Sequence, residues 1–251
     1  MGYASEAVGA YGHPDKVNQM DFHLLSETFE SLPLDQALEI LLDTVERQKI
    51  CITCSFQAEG MIVLHHLRKV IPDIPVLFLD TGYHFAQTYA YRDRVAKEWH
   101  LRLINVLPHQ SVAQQESQFG ILYQSNPTQC CQLRKVEPLM QALEPYEVWF
   151  TGLRRDQSPS RKNLKLLEKH RLPGGKTLWK VNPLVDWTWK QVWSYVDANQ
   201  LSYLPQYDEG YSSIGCQPCT AISDDPDNLR SGRWGGRKLE CGIHTFSEKA
   251  E

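Results

Sequence analysis

Five of the seven cysteines fall into a pattern that packing alone does not require. Cys130 and Cys131 are adjacent, Cys216 and Cys219 form a C-x-x-C, and Cys241 stands alone in Glu240-Cys241-Gly242-Ile243-His244. Adjacent cysteines rarely bond to each other, because the small ring distorts the peptide, yet both can reach one metal centre. With the C-x-x-C they offer four thiolates, a donor set for a tetrahedral zinc or an iron–sulfur cluster. Zinc frameworks usually pair two C-x-x-C knuckles, so the adjacent pair favours a cluster. Four thiols packed as small hydrophobes are the bland alternative. Cys241 reads as a nucleophile, with Arg237, Lys238 and His244 close enough in sequence to favour its thiolate. Cys51 and Cys54 also form a C-x-x-C, but three residues apart on a strand they point to opposite faces, and burial accounts for them.

The chain has 251 residues and a formal net charge of −4, with 42% hydrophobic residues. That length suits one sizeable α/β domain with segments to spare. The charge gives no global attraction to nucleic acid or anionic membranes, so an anionic ligand needs a local basic cluster. No apolar run approaches the roughly 18 residues of a membrane span. The first 18 residues lack the pattern of a secretory signal, and the odd cysteine count argues for a reducing compartment. A cytoplasmic protein is expected.

Apolar spacing predicts helices over 34–47, 58–70, 85–99 and 129–143, and strands over 50–55, 75–80, 101–107 and 147–152. Alternating strands and helices with nearly all-apolar strands imply an α/β fold with an open, mostly parallel sheet covered on both faces. Ligands of such sheets bind beyond the carboxyl ends of the strands. Three polar loops stand there: one with Ser55, Gln57 and Glu59, one with Asp80, Thr81 and Gly82 after Leu79, and one with Gly152, Arg154 and Arg155. The first would face a nucleotide's phosphate and ribose. The second would form an opposite wall, with Leu79 offering backbone groups to a base. Arg154, Arg155 and Arg161 are the candidate anion donors of the third. Lys135 lies four residues after Cys131 on the same helical face, able to set a charge near both the cysteines and a substrate. Organisation is expected as an N-terminal extension over 1–20, a domain over 21–222, and a mobile tail over 223–251 carrying Cys241.

These motifs together resemble the assimilatory adenylyl-sulfate reductases, a branch of the sulfonucleotide reductases. The resemblance rests on the five cysteines, Leu79-Asp80-Thr81-Gly82, Cys131-Gln132-Leu133-Arg134-Lys135, the run from Gly152 to Arg161, and the segment Asn182-Pro183-Leu184-Val185-Asp186-Trp187. One departure is Glu59-Gly60, where the family often carries an acidic pair. The resemblance implies a Rossmann-type, adenine nucleotide α-hydrolase-like fold. It implies reduction of adenylyl sulfate to sulfite and AMP, with a [4Fe-4S] cluster on Cys130, Cys131, Cys216 and Cys219. Members without those cysteines reduce the 3′-phosphorylated substrate, and some with them accept both. Cys241 would attack the sulfur, helped by Lys135 and His244, while Arg230 and Arg233 close over the substrate. No thioredoxin-like domain follows the tail, so a separate thioredoxin or glutaredoxin is the expected reductant, and a homo-oligomer is expected.

Two rival readings touch parts of the pattern. An ATP-pyrophosphatase of the same fold needs Ser-Gly-Gly-x-Asp-Ser after the first strand, and Ser55-Phe56-Gln57-Ala58-Glu59 is not that loop. A non-catalytic, zinc-stapled nucleotide-binding module would leave Cys241 incidental.

Overall fold

A computed structural model describes residues 27, 29, 31–225 and 228–244. The expected N-terminal extension and the end of the tail, 245–251, lie outside the described residues. Six strands form one sheet: β1 (Ile50–Thr53), β2 (Pro75–Leu79), β3 (Arg102–Val106), β4 (Val148–Phe150), β5 (Leu167–Arg171) and β6 (Thr177–Val181). Their order is β3-β2-β1-β4-β6-β5, parallel throughout except that β5 runs antiparallel to β6.

Composition explains the placement. The central strands β1, β2 and β4 are almost wholly apolar and buried, as strands covered on both faces must be. The outermost strands, β3 and β5, carry the exposed Arg102, Lys169 and Arg171, which blunt the edges. Apolar spacing does not predict the β5–β6 hairpin, because charged side chains interrupt both strands. Lys180 is nevertheless buried, since Glu168 meets its ammonium at 2.9 Å.

Four helices cover one face: α1 (Leu34–Thr44), α2 (Ala58–Val70), α3 (Ala86–Glu98) and α8 (Trp189–Ala198). Between them, α4 (Val112–Phe119), α5 (Leu122–Ser125), α6 (Pro127–Cys131) and α7 (Glu137–Leu143) follow in chain order. The larger core contains Ile50, Ile52, Met61, Leu64, Phe78, Phe150 and Val192, and the opposite face buries Cys51, Trp149, Leu139 and Leu143. Each such fully buried aliphatic side chain contributes about 1.5–3 kcal/mol of transfer free energy. Cys51 and Cys54 enter opposite cores, as strand alternation requires.

The helix expected over 129–143 is broken into three parts. It starts at Pro127, capped by Asn126 Oδ1 accepting from the Gln129 N–H at 3.1 Å. A π-helical turn, Gln132–Val136, then joins α6 to α7. Pro138 explains the widened turn: it has no N–H to give an i−4 carbonyl, and its ring would clash there. Among the described residues, no helix is long and apolar enough to cross a membrane.

Candidate active site

Strand order reverses at β1, which has β2 on one side and β4 on the other, and a cleft opens beyond those strand ends. The β1 loop supplies Ser55, Gln57, Glu59 and Gly60, the end of β2 supplies Leu79, and the β4 loop supplies Gly152 and Arg154. Two features let these loops converge. Phe56 adopts φ 60°, a left-handed conformation held by burial of its ring against Phe78 and Tyr91. A Cβ on Gly152 would stand 2.9 Å from the Gly60 nitrogen, so only glycine lets the β4 loop reach the first turn of α2. Gln57 fixes the β1 loop, donating to Ser55 Oγ at 2.9 Å and accepting from the Ile214 N–H at 2.8 Å.

The described part of the tail lies over this cleft. Arg230, Arg233, Cys241 and His244 line it together with Lys135 and Arg161. The tail is anchored by Trp234, 2% exposed, by the Ala221 N–H on Gly232 O at 2.8 Å, and by Arg233 Nε on Cys219 O at 3.1 Å. Arg233 crosses so near Gly215 that a Cβ there would meet its guanidinium at 2.1 Å. Ile243 packs on the second core and His244 stacks on Trp149 at 5.5 Å.

Beside the cleft is a second, smaller cavity, lined by Cys130, Cys131, Cys216 and Cys219 with Thr81, Tyr83, Arg134 and Trp234. All four thiols are buried and free. They encircle the cavity, and among the described residues no three His, Cys, Asp or Glu side chains converge closely enough to hold a single metal ion. Burial opposes ionisation of Cys216, but Lys135, the Thr81 hydroxyl at 3.2 Å and Arg233 outweigh it and lower its pKa. Burial and then the neighbouring cysteines push Cys130 up to about 11. Lys135 lines both cavities. Burial works against its charge, yet the sulfurs of Cys216, Cys241 and Cys131 more than compensate and raise its pKa. Cys241 itself packs against the cluster of Cys131, Cys216, Cys219 and Trp234, on the boundary between cleft and cavity.

Several expected site residues stand elsewhere. Asp80 accepts from Tyr89 Oη at 2.6 Å and the Gly82 N–H at 3.0 Å, and Thr81 serves the cysteine cavity, so Leu79 alone of that loop lines the cleft. Gly82 turns the loop at φ 72°, 3.2 Å from Arg134 measured from a would-be Cβ. Arg155 is turned away, bonded to Leu164 O at 2.7 Å and ion-paired with the exposed Asp186. Arg154 reaches the cleft but is fully buried, with every guanidinium nitrogen engaged by Glu59, Asp156 or Trp187 O. His244 is no cation: burial, with Lys180, Arg161 and Arg230 around it, holds its pKa well below the usual range. Arg237 does not face Cys241 either, donating to Tyr123 O at 3.2 Å and Gln124 O at 2.5 Å.

Other residues join the site that residue type and spacing do not single out. Arg134, 3% exposed, ties the cysteine-bearing helix to the β2 loop through Thr81 O at 2.6 Å, and to Gln115 at 3.1 Å. Gln157, Ser213 and His84 line the cleft. Arg134 and Gln157 stand inside motifs that carry the family resemblance, whereas Ser213 and His84 have no local signal.

A cleft at the strand-order reversal, a thiol on its rim and four more thiols behind that thiol form one constellation. The chain matches the model of the phosphoadenosine phosphosulfate reductase domain over residues 49–222. The chain belongs to this family. It is 43% identical over 213 residues to adenosine 5'-phosphosulfate reductase of Geobacillus sp. (strain WCH70), covering 83% of this chain and 89% of that protein. Phosphoadenylyl-sulfate reductase from Candida auris, solved as a phosphate complex, is 27% identical with a TM-score of 0.67, covering 79% of this chain and 95% of that one. FMN adenylyltransferase of Candida glabrata shares the fold alone, at 14% identity and a TM-score of 0.57 over 86% of this chain and 70% of that one. Family membership makes this chain an oxidoreductase of the sulfonucleotide reductase class.

Proposed function

We propose that the protein reduces adenylyl sulfate to sulfite and AMP, with Cys241 as nucleophile and a separate thioredoxin or glutaredoxin as reductant. The observation that carries this reading is the position of Cys241, on the boundary between the cleft and the four-cysteine cavity, with Lys135 lining both. The relative from Geobacillus sp., named for adenosine 5'-phosphosulfate, supports the unphosphorylated substrate.

In this reading the N-terminus of α2, to which the capping residue Gln57 gives no side-chain hydrogen bond, faces the nucleotide phosphate, and the helix dipole favours an anion there. The Cys241 thiolate attacks the sulfonyl sulfur. An S–S bond forms, the sulfur–oxygen bond to phosphate breaks, and AMP leaves with the electron pair. Lys135, Arg230 and Arg233 hold the sulfonyl oxygens and stabilise the charge developing on them. A reductant thiolate then attacks Cys241 Sγ and expels sulfite with the S–S electron pair. The reductant's second thiol resolves the mixed disulfide, regenerating the Cys241 thiol and leaving the reductant as a disulfide. That step requires the tail to open and present the S-sulfocysteine. Cytoplasmic location and a homo-oligomer are part of the same proposal.

The donor chemistry of the cavity supports the cluster that the resemblance implies. Its donor set is four free thiols with no competing imidazole or carboxylate among the lining residues, the ligand type that a [4Fe-4S] unit takes. Cys130, Cys131, Cys216 and Cys219 would hold it, and when bound it supplies a polarisable iron–sulfide centre beside Lys135. Replacing Cys216 or Cys219 by serine is expected to lose iron and acid-labile sulfide together. Metal analysis checks this; iron retained at the starting ratio removes that residue from the ligand set, and stoichiometric zinc without iron in the unaltered protein favours the non-catalytic module.

Turnover of adenylyl sulfate and of its 3′-phosphorylated form, each with thioredoxin, tests the substrate assignment. A kcat/KM at least about tenfold higher for the unphosphorylated substrate is expected. Equal turnover makes the protein a dual-substrate reductase, and no sulfite from either ends the reading.

A further inference from the structure

The tail carries an anion of its own into the cleft wall. Glu240, one residue before Cys241, sets its carboxylate between Arg161 and Arg230. Its Oε1 accepts from Arg161 Nε at 2.7 Å, and its Oε2 from Arg161 Nη2 at 2.8 Å and Arg230 Nη2 at 3.3 Å. The hydroxyls of Ser160 at 2.9 Å and Ser158 at 3.4 Å complete the ring of donors. Gln157 takes the remaining nitrogen of Arg161, so each of its three nitrogens is engaged and its Nε–Nη2 edge is given wholly to Glu240. Arg230 differs: Nη1 reaches Ser213, while its buried Nε has no partner among the described residues. Burial opposes ionisation of Glu240, but Arg161, Arg230 and Ser160 outweigh it and bring its pKa down to about 2.

Two guanidinium groups and two hydroxyls converging on one point are what a tetrahedral oxyanion needs, and both arginines line the cleft. On the reading above, a substrate brings a phosphate and a sulfonyl group into that cleft. Arg161 can turn its bidentate Nε–Nη2 edge to either only by giving up Glu240.

We propose that Glu240 is a built-in occupant of the substrate's oxyanion site. In the closed tail it holds Arg161 and Arg230. An incoming phosphate or sulfonyl group displaces it and so loosens the segment that carries Cys241. Glu240 is thereby a positioning residue that couples the freedom of the nucleophile to occupancy of the cleft, through a single peptide unit. The proposal rests on the sulfonucleotide reading.

Binding of AMP and of inorganic sulfate, titrated separately, to the full chain and to Glu240→Gln tests it. Loss of the internal competitor is expected to tighten at least one of them about tenfold. AMP responding alone assigns the site to phosphate, and sulfate alone to the sulfonyl group. The rate of Cys241 alkylation by iodoacetamide, followed by mass spectrometry at that residue, is the second readout. It should rise on saturating the unaltered protein with the responding anion. In Glu240→Gln it should already be high and no longer respond, with Glu240→Asp between the two. Normal binding with unchanged affinities overturns the exchange. Tighter binding with no change at Cys241 also overturns it, because the charge then acts only through space. If neither anion binds the unaltered protein, the sulfonucleotide reading fails first and the exchange falls with it.

Discussion

Replacing Cys241 by serine is expected to stop sulfite formation, by at least about a thousandfold, while AMP binding stays within about twofold of the starting protein. The chemistry sets the size of the effect. A serine hydroxyl has almost no anionic fraction at neutral pH, whereas a thiolate is both accessible and intrinsically nucleophilic. Geometry sets the selectivity, since Cys241 stands on the rim of the cleft while Ser55, Gln57 and the first turn of α2 line its floor. Incubating the unaltered protein with adenylyl sulfate alone should add one sulfonate to Cys241, removable by thioredoxin. Turnover by Cys241→Ser near the starting rate, or an adduct mapped to Cys54, defeats the mechanism. Cys54 is the competing thiol in the cleft wall, and burial raises its pKa to about 12, which keeps it protonated.

The second large effect falls on stability. Glu59→Ala should destabilise the fold by about 3–5 kcal/mol, because it strands a buried guanidinium. Arg154 is fully buried and Glu59 6% exposed, joined at 2.9 and 3.1 Å, with Gln157 Nε2 a third donor to the same carboxylate oxygen at 3.0 Å. Asp156 takes another nitrogen of Arg154 at 3.1 Å but is itself half exposed, so it cannot replace the lost carboxylate. For a domain of this size the loss corresponds to a fall in Tm of roughly 10 °C. Glu59→Gln keeps an acceptor oxygen and should cost distinctly less. Thermal melts of both variants check this, and a Tm for Glu59→Ala within about 1 °C of the starting protein defeats it. The same network bears on the Glu59-Gly60 sequence: the glutamate braces the β4 loop, and a Cβ on the glycine would stand 3.0 Å from Cys54 Sγ.

Much of this site is legible in the sequence, because its parts are tied to residue type. A thiolate set can be counted, and apolar strands place polar loops at their ends whatever the packing. The direction in which a side chain leaves a loop is another matter. Arg154 and Arg155 are neighbours of identical type, yet one is walled in by Glu59 and the other salt-bridged outward to Asp186, according to which carboxylate lies within reach. Asp80 and Thr81 divide similarly, one toward Tyr89 and the other toward Cys216. His244 reads as a tail cation and is instead a neutral ring stacked on Trp149, since a histidine's charge depends on burial that its neighbours in sequence do not reveal. The β5–β6 hairpin is hidden because buried Lys180 and alternating charges break the apolar pattern of its strands.

Hydrophobic periodicity is a local property, so the parallel α/β architecture is legible in the chain alone; thiol count, equally local, offers Cys130, Cys131, Cys216 and Cys219 as a candidate donor set and sets Cys241 apart. Folding in three dimensions alone sets Lys135 between two cavities, puts Glu240 in the grip of Arg161 and Arg230, and makes Arg154 brace a wall. Those outcomes depend on which opposite charges meet, across as many as 95 residues for Arg154 and Glu59, and chain separation carries no record of distance in space.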